Sequence, residues 1–147
     1  MSYDLMMFDP FVPPTDRTGF LAWFNEQTKW TEDRNYDDPA GTAKALHAWF
    51  LEMIERFPAM NGPFAKDDYD DPKITGYTIG TTMIYIDFRW SVLQDAYKTT
   101  LEMAMKHGLG FFDVSAEDGQ VWMPSDAGYR IAHGVGNSSV WPGKSPL

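Results

Sequence analysis

Apolar and polar side chains alternate most clearly between Ile74 and Trp90, where β-branched and aromatic residues are interrupted once by Gly80-Thr81. Beyond this break the side chains divide between two faces, with Ile84, Ile86, Phe88 and Trp90 on one and Met83, Tyr85 and Asp87 on the other. Such period-two alternation is typical of a β-strand with one packed face and one partly solvated face. The segment therefore predicts a central β-hairpin.

Three longer segments carry apolar residues at the three- and four-residue spacing of an amphipathic helix. They run from Asp16 to about Lys29, from about Gly41 to Phe57, and from Ser91 to about Lys106. Thr15, Asp38 and Ser91 are the predicted N-caps of these helices. Gly108 is placed to end the third helix as a C′ glycine.

Three further strands are predicted, at Tyr3–Phe8, Leu109–Ser115 and Gln120–Met123. The element order is then β-α-α-β-β-α-β-β, which indicates an α+β fold with an antiparallel sheet of about five strands and helices on one face. Without the second helix and the last strand, the order is that of a ferredoxin-like fold. We predict one domain over residues 1–124, followed by a Gly-, Pro- and Ser-rich tail over 125–147 that is held, if at all, at Trp141.

Composition narrows the possible functions. The 147 residues carry a net charge of −9, which argues against nucleic-acid binding because phosphate backbones require cationic partners. Cysteine is absent, which removes disulfides and thiolate chemistry. The first residues, MSYDLMMFDP, do not form a signal peptide, and no apolar run approaches the roughly 20 residues of a membrane span. We expect a cytoplasmic protein that does not bind membranes.

Recognised catalytic and cofactor motifs are also absent. The sequence contains no GxSxG elbow, phosphate-binding loop or dinucleotide fingerprint, so no cofactor is predicted. Of the three histidines, His47, His107 and His133, no two have the spacing of a zinc motif, and no metal site is predicted. Asp87 is a candidate catalytic acid or base, because it lies on an otherwise apolar strand where its carboxyl would be desolvated. An aspartate in that position more often faces solvent or pairs with a neighbour such as Arg89.

A tetrapeptide that occurs twice is the most distinctive feature. Tyr36-Asp37-Asp38-Pro39 precedes the second helix, and Tyr69-Asp70-Asp71-Pro72 precedes the hairpin. One interpretation of both occurrences is a pair of solvated turns, since Asp-Pro is an ordinary turn signal. A second is a cation site, which is the weakest because neither loop has the DxDxDG spacing of a calcium site. Alternatively, the two loops form one acidic surface with aromatic anchors for a basic protein. Its predicted contact residues are Trp30, Glu32, Asp33, Tyr36, Asp37, Asp67, Asp68, Tyr69 and Asp70.

The chain resembles a family of small bacterial α+β proteins of unassigned function, and it has the general look of polymorphic-toxin immunity proteins. The motifs that carry the resemblance are Tyr3-Asp4-Leu5 with Phe8-Asp9-Pro10, Tyr36-Asp37-Asp38-Pro39, Met60-Asn61-Gly62-Pro63, and Gly110-Phe111-Phe112-Asp113-Val114-Ser115. They extend from Tyr3 to Pro124 and leave the tail uncovered. The resemblance implies a binding role and assigns no catalytic residue.

Three functional hypotheses follow. The leading one is a non-enzymatic protein-binding domain, of the kind that an immunity protein uses against a basic toxin. The alternative is a small enzyme or ligand-binding domain with a cleft on an open sheet face, lined by Tyr85, Asp87, Trp122 and His133. The third is a homodimer formed through that same face, whose predicted residues include Met83, Tyr85, Phe111, Asp113 and Trp122.

Overall fold

The computed structural model describes residues 2–66, 70–126, 128–133 and 140–141. Its elements are β1 (Ser2–Phe8), α1 (Arg17–Gln27), α2 (Lys44–Arg56), β2 (Gly76–Ile79), β3 (Met83–Arg89), α3 (Leu93–Lys106), β4 (Gly110–Phe112), β5 (Val121–Ser125), β6 (Gly128–His133) and β7 (Val140–Trp141). The strands form one sheet in the order β2-β3-β1-β4-β5-β6-β7, and every neighbouring pair is antiparallel. The predicted α+β class and antiparallel sheet are confirmed.

The sheet is longer than predicted. Instead of about five strands it has seven, because β6 and β7 extend it beyond β5. Tyr129 and Ile131 of β6 are 1% and 4% exposed, so this strand contributes to the core of the described chain. The sequence marks Tyr129 and Ile131 as apolar anchors of the tail, but the frequent glycine and proline between residues 125 and 147 favour an extended segment over a strand.

Helices cover both faces of the sheet, so the prediction of helices on one face was wrong. One layer packs α2 and α3 against Leu5 and Met7 of β1. The other packs Phe20 of α1 against Met6 and Phe8 of the same strand. The physical reason is the continuous apolar run in β1, which presents hydrophobic side chains alternately to both sides and requires two covering layers.

The helix starts also differ from the predicted ones. Asp16, not Thr15, caps α1 by accepting a hydrogen bond from the Gly19 amide at 2.7 Å. Helix α2 does not extend back through residues 39–43 to Asp38. The Ala43 amide instead donates a hydrogen bond to the Thr81 carbonyl at 2.8 Å, which holds this segment on the β2–β3 turn. Ser91 lies in a short 3-10 turn, Trp90–Val92, and α3 has no side-chain cap.

Two predicted turns agree with the structure. Gly80 closes the β2–β3 hairpin through its amide, which donates to the Met83 carbonyl at 2.8 Å. Gly108 follows α3 with φ +66°, and the Leu109 amide donates to the Ala104 carbonyl at 2.9 Å, as in a Schellman motif.

The outer edge of β2 is covered by loops from elsewhere in the chain. The Thr75 amide donates to the Pro58 carbonyl at 2.8 Å, and the Met60 amide donates to the Thr75 carbonyl at 2.9 Å. Four residues further along, the Ile79 amide donates to the Tyr36 carbonyl at 2.7 Å. The edge strand is therefore hydrogen-bonded at both ends to segments that precede it.

Candidate functional site

The first acidic loop, residues 31–38, is fixed to the β2–β3 turn. The Glu32 carboxylate accepts hydrogen bonds from the Thr81 amide at 3.0 Å and from the Thr81 hydroxyl at 2.5 Å. Arg34 donates from its guanidinium to the carbonyls of Asp38, at 2.9 Å, and Ala40, at 3.2 Å. Two charged side chains that composition alone assigns to solvent therefore hold the loop in one conformation.

Aromatic rings extend from this loop across the sheet. Trp30 has a positive φ of 55°, which turns the chain at the end of α1. Its ring makes edge contacts with Tyr36, at a centroid distance of 5.4 Å, and with Tyr85 of β3, at 6.0 Å. Edge-to-face pairs of this kind stabilise by about 0.5–1.5 kcal/mol beyond their buried area. They bring the predicted partner-binding residues Trp30 and Tyr36 against Tyr85 of the predicted cleft.

Two carboxylates lie next to Tyr85, on the same face of the sheet. Asp4 of β1 and Asp87 of β3 are directly opposite each other in the antiparallel pair. The Tyr85 hydroxyl donates to the Asp4 carboxylate, and the Ser2 hydroxyl donates to its other oxygen at 2.5 Å. Burial, and then the negative charge of Asp4, raise the pKa of Asp87. Like charges directly opposite each other across two strands repel, so this pair is stabilised by any cation that reaches it.

The position of the Asp87 carboxylate depends on a glycine. Gly76 of β2 is the cross-strand partner of Asp87. A Cβ atom at residue 76 would lie 2.5 Å from both carboxylate oxygens of Asp87. The missing side chain allows the carboxylate to lie back over β2, where it is half-buried.

These residues form a continuous strip, which we call the acidic strip: Asp4, Trp30, Glu32, Tyr36, Tyr85 and Asp87. Carboxylates supply its charge, and aromatic rings supply flat apolar area beside them. This combination suits a lysine or arginine side chain, whose cation pairs with a carboxylate while its stem or guanidinium plane packs on a ring. The strip combines part of the predicted partner-binding set with part of the predicted cleft.

The remaining predicted contact residues do not belong to the acidic strip. Asp33 and Asp70 are exposed, and Asp37 is half-buried. The Asp37 carbonyl lies so close to Gly62 that a Cβ at that glycine would be 2.3 Å away, so the first acidic loop contacts the segment that leads to the second. Asp67, Asp68 and Tyr69 lie outside the described residues.

The four residues of the alternative cleft do not come together. Tyr85 and Asp87 share the α1 face of the sheet, whereas Trp122 packs in the core under α2 and α3. His133 is on β6 and contacts Phe20 of α1 at a ring-centroid distance of 5.6 Å.

The predicted homodimer face is covered by the chain itself. Met83 and Phe111 are 0% exposed, and Trp122 is 3% exposed. These apolar residues are therefore part of the core: Met83 lies in the layer under α1, and Phe111 and Trp122 lie in the layer under α2 and α3.

Asp113 is a second carboxyl with a perturbed environment. It follows β4, is 5% exposed, and accepts a hydrogen bond from the Tyr3 hydroxyl at 3.4 Å. Burial raises the pKa of Asp113 to about 6, and the charge of Asp118 adds to the shift, while the bond from Tyr3 opposes it. Because the carboxyl is enclosed, its effect is on stability and not on contact with a partner.

Two kinds of site are absent from the described part of the chain. Residues 2–66, 70–126, 128–133 and 140–141 contain no group of three or more acidic or histidine side chains placed to hold a metal ion. None of the helices within those ranges combines the length and the apolar character needed to cross a bilayer.

Comparison with protein-family models, with curated proteins and with solved structures finds no match for this chain. The fold and the strip define an α+β protein with an acidic, aromatic surface on a two-sided sheet. The resemblance to bacterial proteins of unassigned function and to immunity proteins stays a prediction.

Glu32 provides a test of how the strip is held. Glu32→Ala is expected to destabilise the loop by about 1 kcal/mol, since it removes a partly solvated carboxylate that accepts from the Thr81 amide. Hydrogen exchange at Thr81 should accelerate accordingly, with little change in the global unfolding midpoint. Asp33→Ala, at an exposed site in the same loop, is the matched control and should leave that exchange unchanged.

Proposed function

We propose that the protein is a non-enzymatic binding domain whose acidic strip recognises a basic protein, as an immunity protein does when it neutralises a basic toxin. The observation that carries this proposal is the cross-strand pair of Asp4 and Asp87, in which burial, and then the negative charge of Asp4, raise the pKa of Asp87. A basic side chain placed between the carboxylates relieves their mutual repulsion. Binding is then favoured by the loss of an unfavourable interaction as well as by a new contact.

The aromatic residues of the strip support the same proposal. Tyrosine and tryptophan are enriched at the energetically dominant positions of protein interfaces. Trp30 and Tyr36 are half-buried, and the loop that carries them is hydrogen-bonded to the β2–β3 turn. A surface that is already ordered loses little side-chain entropy when it binds.

Net charge supplies the third argument. At −9, the chain attracts a basic partner over distances longer than direct contact. Such steering accelerates association and weakens as salt is added. The proposal therefore includes a partner with a strongly basic surface, and we propose a cytoplasmic location with it.

A finer assignment of the fold is also proposed. The inner strand order β2-β3-β1-β4 is the order expected for a ferredoxin-like core, with β5 to β7 added at one edge. The extra helix α1 then covers the face that ferredoxin-like sheets often leave open.

The proposal is tested by removing the two opposed carboxylates. Asp4→Asn with Asp87→Asn should weaken binding of the basic partner by about tenfold or more, because each removes a charge from the contact. Affinity capture from the native host, followed by titration of the captured protein at low and high salt, measures the effect. Binding by the wild-type protein should weaken as ionic strength rises.

Glu55→Gln with Glu102→Gln is the matched control. It removes the same charge from exposed positions on α2 and α3, away from the strip. If the control weakens binding as much as the strip variant, net charge and not the strip is responsible. If the host yields no basic partner, the proposed function is rejected.

The homodimer is retained as a separate proposal without the face first predicted for it. Light scattering at micromolar concentration decides it, since a monomer has a mass of 16.8 kDa.

A further inference from the structure

A small cavity lies on the α1 face of the sheet, beside β5 and β6, whereas the acidic strip lies beside β1 and β3 on the same face. The cavity has a volume of about 220 Å³ and is enclosed by the segment before α1, by β5 and by β6. Its walls are mainly apolar and include Phe8, Phe20, Val121 and Met123. Three prolines, at residues 13, 14 and 124, also line it.

The polar side of the cavity is cationic or neutral. Arg130 and His133 of β6 line it, and none of its lining residues is acidic. The Arg130 side chain is exposed and forms no salt bridge with the described residues. Its guanidinium, with several donors in one plane, is suited to bind a carboxylate.

His133 has a defined hydrogen on one ring nitrogen. Its Nε2 atom lies 2.8 Å from the Thr15 carbonyl oxygen, which can only accept, so Nε2 donates. The Nδ1 atom is buried and has no hydrogen-bond partner among the described residues. In the neutral ring Nδ1 is then an acceptor, so a ligand carboxylate pairs with Arg130 and not with this nitrogen.

We infer that this cavity binds a small carboxylate with an aromatic or similarly compact apolar body. The apolar body would lie against Phe8, Phe20 and Val121, and the carboxylate would pair with Arg130 beside His133. A volume of about 220 Å³ is below the roughly 300–1,000 Å³ typical of drug-sized ligands, so nucleotides and other large anions do not fit. A simple cation is disfavoured by Arg130.

Benzoate is the probe, added to the full-length protein. Titration followed by NMR should shift the resonances of Phe8, Phe20 and Met123 with a millimolar or tighter Kd. Arg130→Gln is expected to weaken benzoate binding about tenfold, the effect of losing one charge-assisted contact. Benzamide, which has the same shape without the charge, should bind more weakly than benzoate to the wild-type protein and equally to both proteins.

Arg56→Gln is the control, since it removes an exposed arginine on α2, on the opposite face of the sheet. It should leave benzoate binding unchanged. Ala132→Leu, which enlarges a half-buried side chain in the cavity wall, should reduce binding of both compounds while thermal unfolding remains cooperative. The inference is overturned if benzoate perturbs none of the cavity residues, or if benzamide binds wild-type protein as tightly as benzoate. Either result leaves the proposal for the acidic strip untouched.

Discussion

Truncation of the chain after Pro124 is expected to abolish cooperative folding. The deletion removes Tyr129 and Ile131, which are 1% and 4% exposed. Tyr129 stacks on Trp122 at a centroid distance of 6.1 Å, and its hydroxyl donates to the Leu109 carbonyl at 2.5 Å. Loss of a large aromatic side chain from a core costs about 3–5 kcal/mol, and the deletion also exposes Trp122. Domains are stable by only about 5–15 kcal/mol, so little stability remains.

Circular dichroism during thermal unfolding measures this effect. Truncation after Trp141 keeps every described residue and should retain a cooperative transition. Tyr129→Phe, which loses only the hydroxyl, should cost about 1 kcal/mol. If the chain shortened at Pro124 unfolds at the midpoint of the full-length protein, the boundary predicted after residue 124 is correct and β6 is dispensable.

Asp113→Asn is expected to stabilise the protein at neutral pH and to flatten its pH dependence. Since burial raises the pKa of Asp113 from 3.8 to about 6, the folded protein retains a proton that the unfolded chain releases over this range. Stability therefore falls as pH rises from about 4 to 6 and stays lower above 6. The ionised carboxyl costs up to roughly 3 kcal/mol at neutral pH, and asparagine removes that cost while still accepting from the Tyr3 hydroxyl.

Urea unfolding at a series of pH values checks this prediction. Asp126→Asn, at an exposed site, should reproduce the wild-type profile. The raised pKa of Asp87 gives a contribution of the same sign, so some slope should persist in the Asp113 variant. A variant whose stability between pH 4 and 7 parallels the wild type would show that Asp113 is not the titrating group.

Much of the fold can be predicted because its strongest signals are local. The hairpin around Gly80, the stripe of α2 and the glycine after α3 each depend on neighbouring residues in the chain. The covering of both sheet faces was missed, although the unbroken apolar run in β1 is the signal for it. β6 was missed because its two anchors, Tyr129 and Ile131, lie in a segment whose composition is typical of a loop.

The candidate site was predicted only in part, because its geometry depends on strand register. Local sequence predicts five residues of the acidic strip as candidate binding residues, and in the structure they lie next to one another: Trp30, Glu32, Tyr36, Tyr85 and Asp87. Asp4 was missed, since its pairing with Asp87 requires knowledge that β1 and β3 are neighbours. An aspartate between Tyr3 and the apolar run of residues 5–8 was the available signal. The separation of Trp122 from Tyr85 and Asp87 likewise follows from the register and from the second helical layer.

The covered edge of β2 limits how another protein can approach. Strand addition, in which a partner's extended segment joins a sheet, requires free backbone amides and carbonyls along an edge. At Thr75 and Ile79 those groups are already bonded to the chain's own loops, one of which carries Tyr36 of the acidic strip. These bonds at both ends of β2 oppose the addition of a strand at this edge. A variant that detaches the loop would remove a support of the acidic strip and free the Ile79 amide, which would then offer a template for self-association.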